Sequence, residues 1–362
     1  MKVCFRVDAS VDIGSGHVMR CLALAAALRL GGADCHFICR DLPGHLTGAV
    51  RQHGFEATLL KPAGASFGGA PAPAHAAWLG CRWQDDAAEV APLLAVLQAD
   101  WLVVDHYALD ARWESMLRRD SMRLMVIDDL ADRAHDCDVL LDQNLGRTAA
   151  HYRDLLAPHC PVLAGPAYAL LRPEFGALRR HSLARREGAE LARVLVNMGG
   201  VDQFNATAAV LQALARSDLA QQCAISVIMG LNAPWIGAIR TLAANAARPI
   251  EVAVNVSDMA LRMAESDLAI GAAGSTSWER CCLGLPTLVV VLAPNQAGGA
   301  AALEHAGAAL ALGTPAQIGA RLPAALRHMG EGGALAAMSM AARALVDGLG
   351  VGRVLAAMRE VP

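Results

Sequence analysis

The ten cysteines of this 362-residue chain include no C-x-x-C pair, and their spacing suits no zinc site. They are scattered through apolar segments, which predicts reduced, mostly buried thiols of a cytoplasmic protein. Neither sign of charge dominates: 31 basic against 34 acidic residues leave a formal net charge of -3. That balance excludes a general electrostatic footprint for nucleic acid and leaves room for a local basic pocket for a small anion. No uninterrupted apolar run reaches membrane-spanning length, because Arg, Asp, His or Gly breaks each one. The first ten residues, MKVCFRVDAS, lack the apolar stretch and cleavage site of a secretory signal and read as a strand. No short-period repeat occurs. The expectation is a cytoplasmic monomer without an integral membrane segment, a metal or a cofactor.

What is present is 55% apolar residues on a length suited to two domains, each able to bury its own core. Short β-branched runs alternate with Ala/Leu-rich helical runs, the pattern of βαβ units and parallel sheets. In the first half, strands are predicted at 3–7, 34–39, 57–60, 101–105, 123–128 and 139–141, with helices at 18–29 and 46–52. A second series places strands at 193–197, 224–229, 250–254, 268–270 and 287–292. Its helices fall at 205–215, 259–264 and 275–283, and an Ala-rich tail from 316 to 358 forms two or three more. The Gly/Ala/Pro-rich stretch from 62 to 73 reads as a loop, and the Arg-rich stretch from 179 to 190 as an interdomain connection. The predicted domains are 1–170, for sugar and catalysis, and 171–362, for the nucleotide, with the final helices packing back on the first. Ligands of open α/β sheets bind outside the carboxyl ends of the strands, so the crevice between two such domains is the expected site.

Four loops carry candidate chemistry. Asp8-Ala-Ser-Val-Asp-Ile-Gly14-Ser-Gly16-His17 joins the first strand to the first helix. Gly14 and Gly16 permit a sharp turn and close approach to a ligand. His17 lies in the first helical turn, where an imidazole can take a proton from water; a packing or capping role stays open. The loop is neither a Walker A loop, which ends in Gly-Lys-Ser/Thr, nor a full dinucleotide fingerprint. Gly271-Ala-Ala-Gly274-Ser275-Thr276-Ser-Trp-Glu279 is the stronger signal. Gly274 gives close approach, Ser275 and Thr276 with their backbone N–H groups can hold a diphosphate, and Glu279 can accept two hydrogen bonds from a diol. The alternative there is an N-cap with a dipole-facing Glu. Gly199 and Gly200 follow another strand, with Asp202, Asn205 and Thr207 as possible caps of the next helix. Gln296, after the strand at 287–292, is placed to contact a phosphate or hydroxyl. Asp105-His-Tyr107 and Asp128-Asp129 end strands where sugars are met, and Tyr168, Arg172 and Glu174 form a polar cluster near the domain connection. Asp136-Cys-Asp138 has the Asp-x-Asp form of metal-dependent sugar transferases, but it precedes a strand rather than ending one and reads as chance.

Taken in order, these motifs resemble one family. Arg6-Val-Asp8, Gly14-Ser-Gly-His-Val-Met-Arg20, Val104-Asp-His-Tyr107, Ile127-Asp-Asp-Leu130, Gly165-Pro-Ala-Tyr-Ala-Leu-Leu-Arg172, Met198-Gly-Gly-Val-Asp202 and Gly271–Glu279 are similar to the UDP-sugar hydrolases of pseudaminic acid synthesis. That family is related in architecture to the transferase that forms lipid II. The resemblance implies a GT-B fold: α/β, two doubly wound domains facing a central cleft. It implies UDP held mainly by the C-terminal half, with Glu279 on the ribose and the Ser275–Thr276 turn near the diphosphate. It implies His17 as the catalytic residue. Asn255 falls in a family-like segment, where a contact to uridine or diphosphate and a turn role are both open. The implied substrate is UDP-2,4-diacetamido-2,4,6-trideoxy-β-L-altropyranose, cleaved to UDP and the free sugar.

UDP is a good leaving group, so such an enzyme chiefly positions water and stabilises the developing charge. The expected reaction is metal-independent water attack on the anomeric carbon with inversion. Three alternatives share these loops: a GT-B glycosyltransferase, a UDP-sugar 2-epimerase and a non-catalytic nucleotide-sugar binder.

Overall fold

The computed structural model describes residues 1–62, 64, 73–188, 190–219 and 222–361. The stretch from 62 to 73, expected as a loop, lies mostly outside these. The chain divides into two compact units, Met1–Leu170 with Leu349–Pro362, and Leu171–Gly348.

The first unit is built on seven parallel strands: β1 (Lys2–Val7), β2 (Asp34–Arg40), β3 (Glu56–Leu60), β4 (Trp101–Asp105), β5 (Arg123–Ile127), β6 (Val139–Asp142) and β7 (Val162–Ala164). Their order is β3-β2-β1-β4-β5-β6-β7. Four helices connect them: α1 (Gly16–Leu30), α2 (Thr47–Gln52), α3 (Trp83–Leu97) and α4 (Ala111–Leu117). Side chains alternate across the sheet with period two. Val3, Phe5, Val7, Phe37, Trp101 and Val103 therefore pack on one core, shared with α1. Cys4, Ile38, Leu102 and Val104 pack on the other, with Val90 and Leu94 of α3 and Trp113 of α4. Chain order reverses between β1 and β4, which are hydrogen-bonded neighbours with Val7 beside Asp105. This is a topological switch point, where the loops after β1 and β4 part to opposite sides.

The second unit repeats the plan with six strands: β8 (Arg193–Asn197), β9 (Ala224–Met229), β10 (Ile250–Val254), β11 (Leu268–Ala272), β12 (Thr287–Val290) and β13 (Leu310–Gly313), ordered β10-β9-β8-β11-β12-β13. Its helices are α5 (Pro173–Arg185), α6 (Ala206–Ala215), α7 (Ile236–Ala244), α8 (Met259–Ala264), α9 (Thr276–Cys282), α10 (Ala297–His305), α11 (Ile318–Gly330) and α12 (Ala334–Leu345). The switch point lies between β8 and β11, the two strands whose following loops are Gly-rich.

The Arg-rich connection proves to be largely helix. Pro173 opens α5 at its first turn, where a missing N–H costs nothing. One stripe, including Phe175 and Ser182, is buried, and the remaining arginines reach over neighbouring backbone. Arg186, just past the helix, donates to the carbonyls of Leu283, Ser266 and Met263. The final helix, α13 (Gly350–Glu360), belongs to the first unit, where Val354 and Met358 enter the α1 core. Gly350 is needed for that docking, because a Cβ there would stand 2.3 Å from the Ala169 carbonyl oxygen. The stretch Ala334–Glu360 reaches a mean hydropathy of 1.4 over a membrane-spanning length. It is not one rod: α12 ends at Leu345, extended backbone follows at Val346, and α13 begins at Gly350.

Candidate functional site

In the first unit, the loop from Asp8 to Ser15 closes on itself before α1. The Gly14 N–H donates to the Ser10 carbonyl at 2.8 Å, and the Ser10 hydroxyl accepts from the N–H groups of Asp12 and Ile13. Gly14 has φ +79°, a left-handed turn that glycine adopts without strain. Gly16 starts α1 and delivers His17 into its first turn.

His17 is held from across the switch point. Its Nδ1 lies 2.5 Å from Asp105 Oδ1, the last residue of β4, 88 positions away in sequence. Asp105 sits on the α1 face of the sheet and is fully buried. Arg20, one turn after His17, clamps both its oxygens at 2.7 Å and reaches Asp129 Oδ2 at 2.9 Å. Burial by itself would raise the Asp105 carboxyl; Arg20 and His17 outweigh it and hold it well below the usual range. A carboxylate at Nδ1 takes the N–H from that nitrogen and leaves the lone pair on Nε2, which makes no hydrogen bond among the described residues. Tyr107 sets its ring against His17 edge to face, centroids 4.6 Å apart, with its hydroxyl within reach of Asp129. His17, Asp105 and Tyr107 are therefore one constellation: an oriented imidazole with a free nitrogen, able to act as a base.

Asp8 faces the opposite way. Its Oδ1 accepts from Arg6 and from the Arg40 N–H, both at 2.7 Å, and its Oδ2 stands 3.2 Å from His106 Nε2. It anchors the start of the loop from behind. Asp128 is likewise buried, held by Arg133 and the Tyr152 hydroxyl. Asp136 and Asp138 pair with Arg118 at the end of α4.

In the second unit, the Gly-rich loop after β11 gathers several expected residues. Ser275 precedes α9 and makes no capping bond. Gln296, far along the chain, accepts from the Leu292 N–H through Oε1, and its Nε2 is 3.7 Å from a Cβ built on Gly274. Glu279 lies one turn into α9, with Arg172 at 3.7 Å. Burial pushes its carboxyl up to about 7 against the pull of Arg172. Arg172 also pairs with Glu174 at 3.1 Å and lies over the Phe175 ring. Behind the loop stands Arg280, 2% exposed, whose guanidinium donates to Thr276 Oγ1, Ser277 Oγ and the Ala272 carbonyl. No carboxylate balances it within ion-pair distance among the described residues, and burial lowers it to about 10.

The loop after β8 lies beside that after β11. Gly199 has φ +83°, and Gly200 is pressed on Gly230, where a Cβ would meet its carbonyl oxygen at 1.9 Å. Asp202, buried, caps α6 by accepting from the N–H groups of Ala206 and Thr207. Asn255 is exposed at the end of β10 with φ 52°. Three strand spacings separate β10 from β11, about 14 Å at the usual interval.

Residues to which sequence reasoning gave no role are Arg20 and Arg6, though both fall in quoted motifs, with Asp86, Arg40, His75, Trp78 and Arg280. A signal existed for two of them: Arg6 and Arg40 are charges at even-numbered positions near the ends of largely apolar strands, which calls for a buried counterion.

Residues 194–348 match the model of the glycosyltransferase family 28 C-terminal domain. The chain is 26% identical over 220 residues to the UDP-2,4-diacetamido-2,4,6-trideoxy-beta-L-altropyranose hydrolase of Campylobacter jejuni, covering 60% of this chain and 68% of that one. It is 23% identical over 300 residues to an uncharacterized protein of Methanocaldococcus jannaschii, covering 82% of this chain but only 56% of that protein's length. Among solved structures, MurG of Acinetobacter baumannii superimposes with a TM-score of 0.67 at 16% identity, covering 99% of both chains. The fold is α/β of the GT-B type, two doubly wound parallel-sheet domains in one chain.

Proposed function

We propose that this chain is a UDP-sugar hydrolase that releases UDP from UDP-2,4-diacetamido-2,4,6-trideoxy-β-L-altropyranose. The observation that carries the reading is the His17–Asp105–Arg20 constellation at the switch point of the first unit, an imidazole oriented with one nitrogen free. Homology to the Campylobacter hydrolase supports the substrate class. In this scheme a water oxygen bonds to the anomeric carbon as the carbon–oxygen bond to UDP breaks. The water proton passes to His17 Nε2, UDP leaves with the bonding pair, and the anomeric carbon inverts. Asp105 steadies the imidazolium, and Tyr107 fixes the ring plane.

The second unit holds the nucleotide. Glu279 accepts from the ribose diol, Ser275 and Thr276 meet the diphosphate, and Gly274, Gly199 and Gly200 leave the backbone bare there. Gln296 offers its amide nitrogen, Arg172 orients Glu279, and Asn255 stands at a distance suited to the uridine end. Arg280, unpaired behind the loop, adds a positive charge that a short helix lacks on its own.

Glu279 gives this arrangement a pH signature. Its carboxyl is raised to about 7, and the two ribose hydroxyls donate more strongly to the ionised form, whose two oxygens both accept, than to the protonated acid. Binding of a UDP-sugar, whose diphosphate diester does not titrate here, therefore strengthens as pH rises. The expected gain is up to about tenfold between pH 6 and pH 8, with up to one proton released at the lower end. Calorimetry on the His17→Gln protein reads both. Glu279→Gln should bind more weakly and lose the pH dependence; a dependence that persists in this variant would take Glu279 off the ribose.

The decisive test of the reaction is product analysis in oxygen-18 water, without acceptor or metal. UDP release with label in the sugar is the expected result. Label in UDP would mean attack at phosphorus and would reject His17 as placed. The family 28 match favours one other reading, transfer of the sugar to an acceptor. UDP release that requires an acceptor would select it.

A further inference from the structure

Beside His17 lies a set of rings that neither core uses. Trp78 stacks on Tyr107, with centroids 5.6 Å apart and planes 24° from parallel. His75 sets its edge to Trp78 at 4.5 Å and lies 5.3 Å from Tyr107. Tyr107 in turn meets His17. Tyr107 and His17 are buried, whereas Trp78 and His75 are half-buried. Leu79, one residue on, enters the hydrophobic core; Trp78 and His75 are absent from both cores of this unit. The indole thus builds outward from His17 through Tyr107 and keeps part of its surface accessible among the described residues. His75 Nδ1 is buried without a hydrogen-bond partner among the described residues, so the polar capacity of this ring lies at Nε2.

We propose that Trp78 and His75 form the sugar-recognition wall of this site, selecting a deoxygenated, N-acetylated hexose next to His17. The inference rests on the hydrolase reading for which sugar is bound, not for the wall itself. Sugar C–H groups carry partial positive charge and fit the electron-rich face of an indole. A 6-methyl group adds apolar surface there, where a 6-hydroxyl would lose a water partner. His75 Nε2, which makes no hydrogen bond among the described residues, provides the polar counterpart, a hydrogen bond to an acetamido group. The wall acts on binding and selection; proton transfer stays with His17.

The test compares affinities for UDP and for UDP-2,4-diacetamido-2,4,6-trideoxy-β-L-altropyranose by calorimetry, in the His17→Gln protein so that no turnover intervenes. The ratio of the two isolates the sugar's contribution. Trp78→Leu and His75→Ala should each cut that ratio about tenfold, with UDP affinity and melting temperature unchanged. Trp78→Phe, which keeps a ring face, should restore most of it. UDP-N-acetylglucosamine, with its 6-hydroxyl, should show little dependence on Trp78. A ratio within twofold of the parent in Trp78→Leu overturns the proposal, as does an equal loss for both sugars. These outcomes are independent of hydrolysis: a wild-type protein that releases no UDP would defeat the reaction assignment and leave the wall to be judged on binding.

Discussion

His17→Ala is expected to lower UDP release by about a thousandfold, within the ~10²–10⁴ range of a general base. UDP affinity should stay within about twofold, because His17 belongs to the first unit and the residues proposed to hold the nucleotide to the second. The loss should appear in kcat rather than KM. Asp105→Asn is the informative companion. An asparagine at 105 no longer favours a proton on Nδ1 and no longer balances Arg20, so the imidazole loses its orientation while the ring remains. Its kcat should fall toward that of His17→Ala, and the double variant should be little worse than either alone, because the two act as one group. Initial rates of UDP release with parallel calorimetry decide this. Full activity in His17→Ala would remove the histidine from the mechanism.

The largest effect on stability is expected at Asp86, a residue with no part in catalysis. This carboxylate of α3 accepts from Arg6 at 2.6 Å, from Arg40 at 2.7 Å and from the Trp113 indole at 3.0 Å, and all four residues are buried. Arg6 and Arg40 project from neighbouring strands onto the α3 face, the side that period-two alternation assigns to even-numbered positions of β1 and β2. Removing Asp86 leaves one guanidinium with only Asp8 and the other facing Glu89 at 3.4 Å. Breaking a buried pair of this kind costs about 3–5 kcal/mol, and here two cations lose their shared carboxylate. Asp86→Ala should therefore unfold the first unit at a temperature far below the wild type, or prevent its folding. Asp85→Ala, at the next position but in an exposed pair with Arg82, should leave the melting temperature unchanged. Thermal unfolding of the two variants side by side separates buried from surface charge. Asp8, Asp86 and Asp105 are all held below the ordinary carboxylate range by their arginines, despite burial. Their contribution is full above the unfolded value near 4 and is lost as pH falls below it, so the acid limb of stability belongs to this unit.

The alternation of apolar strands and helices along the chain determined the fold class, because a sheet covered on both faces needs strands that are apolar on both faces. The Gly-containing breaks after 7, 197 and 272 determined where the strand-to-helix loops fall, and in the first two a glycine takes the left-handed turn at little cost. His17 and Glu279 were legible for the same reason: each sits in the first helical turn after such a break. What only the tertiary structure decided is which residues meet. Asp105 ends a strand and reads like a sugar-facing carboxylate; the β1–β4 pairing turns it onto His17 and Arg20 instead. Asp8 reads as part of the ligand loop, but strand parity and the Arg6 and Arg40 side chains draw it inward. Gln296 comes beside Gly274 only because β12 pairs with β11. Trp78 carried no sequence signal, since an indole in a short helical turn reads the same whether it packs on a core or, as proposed, beside His17. Local sequence sets period, caps and turns; partnership between residues dozens of positions apart is set by strand order, which is a property of the folded chain alone.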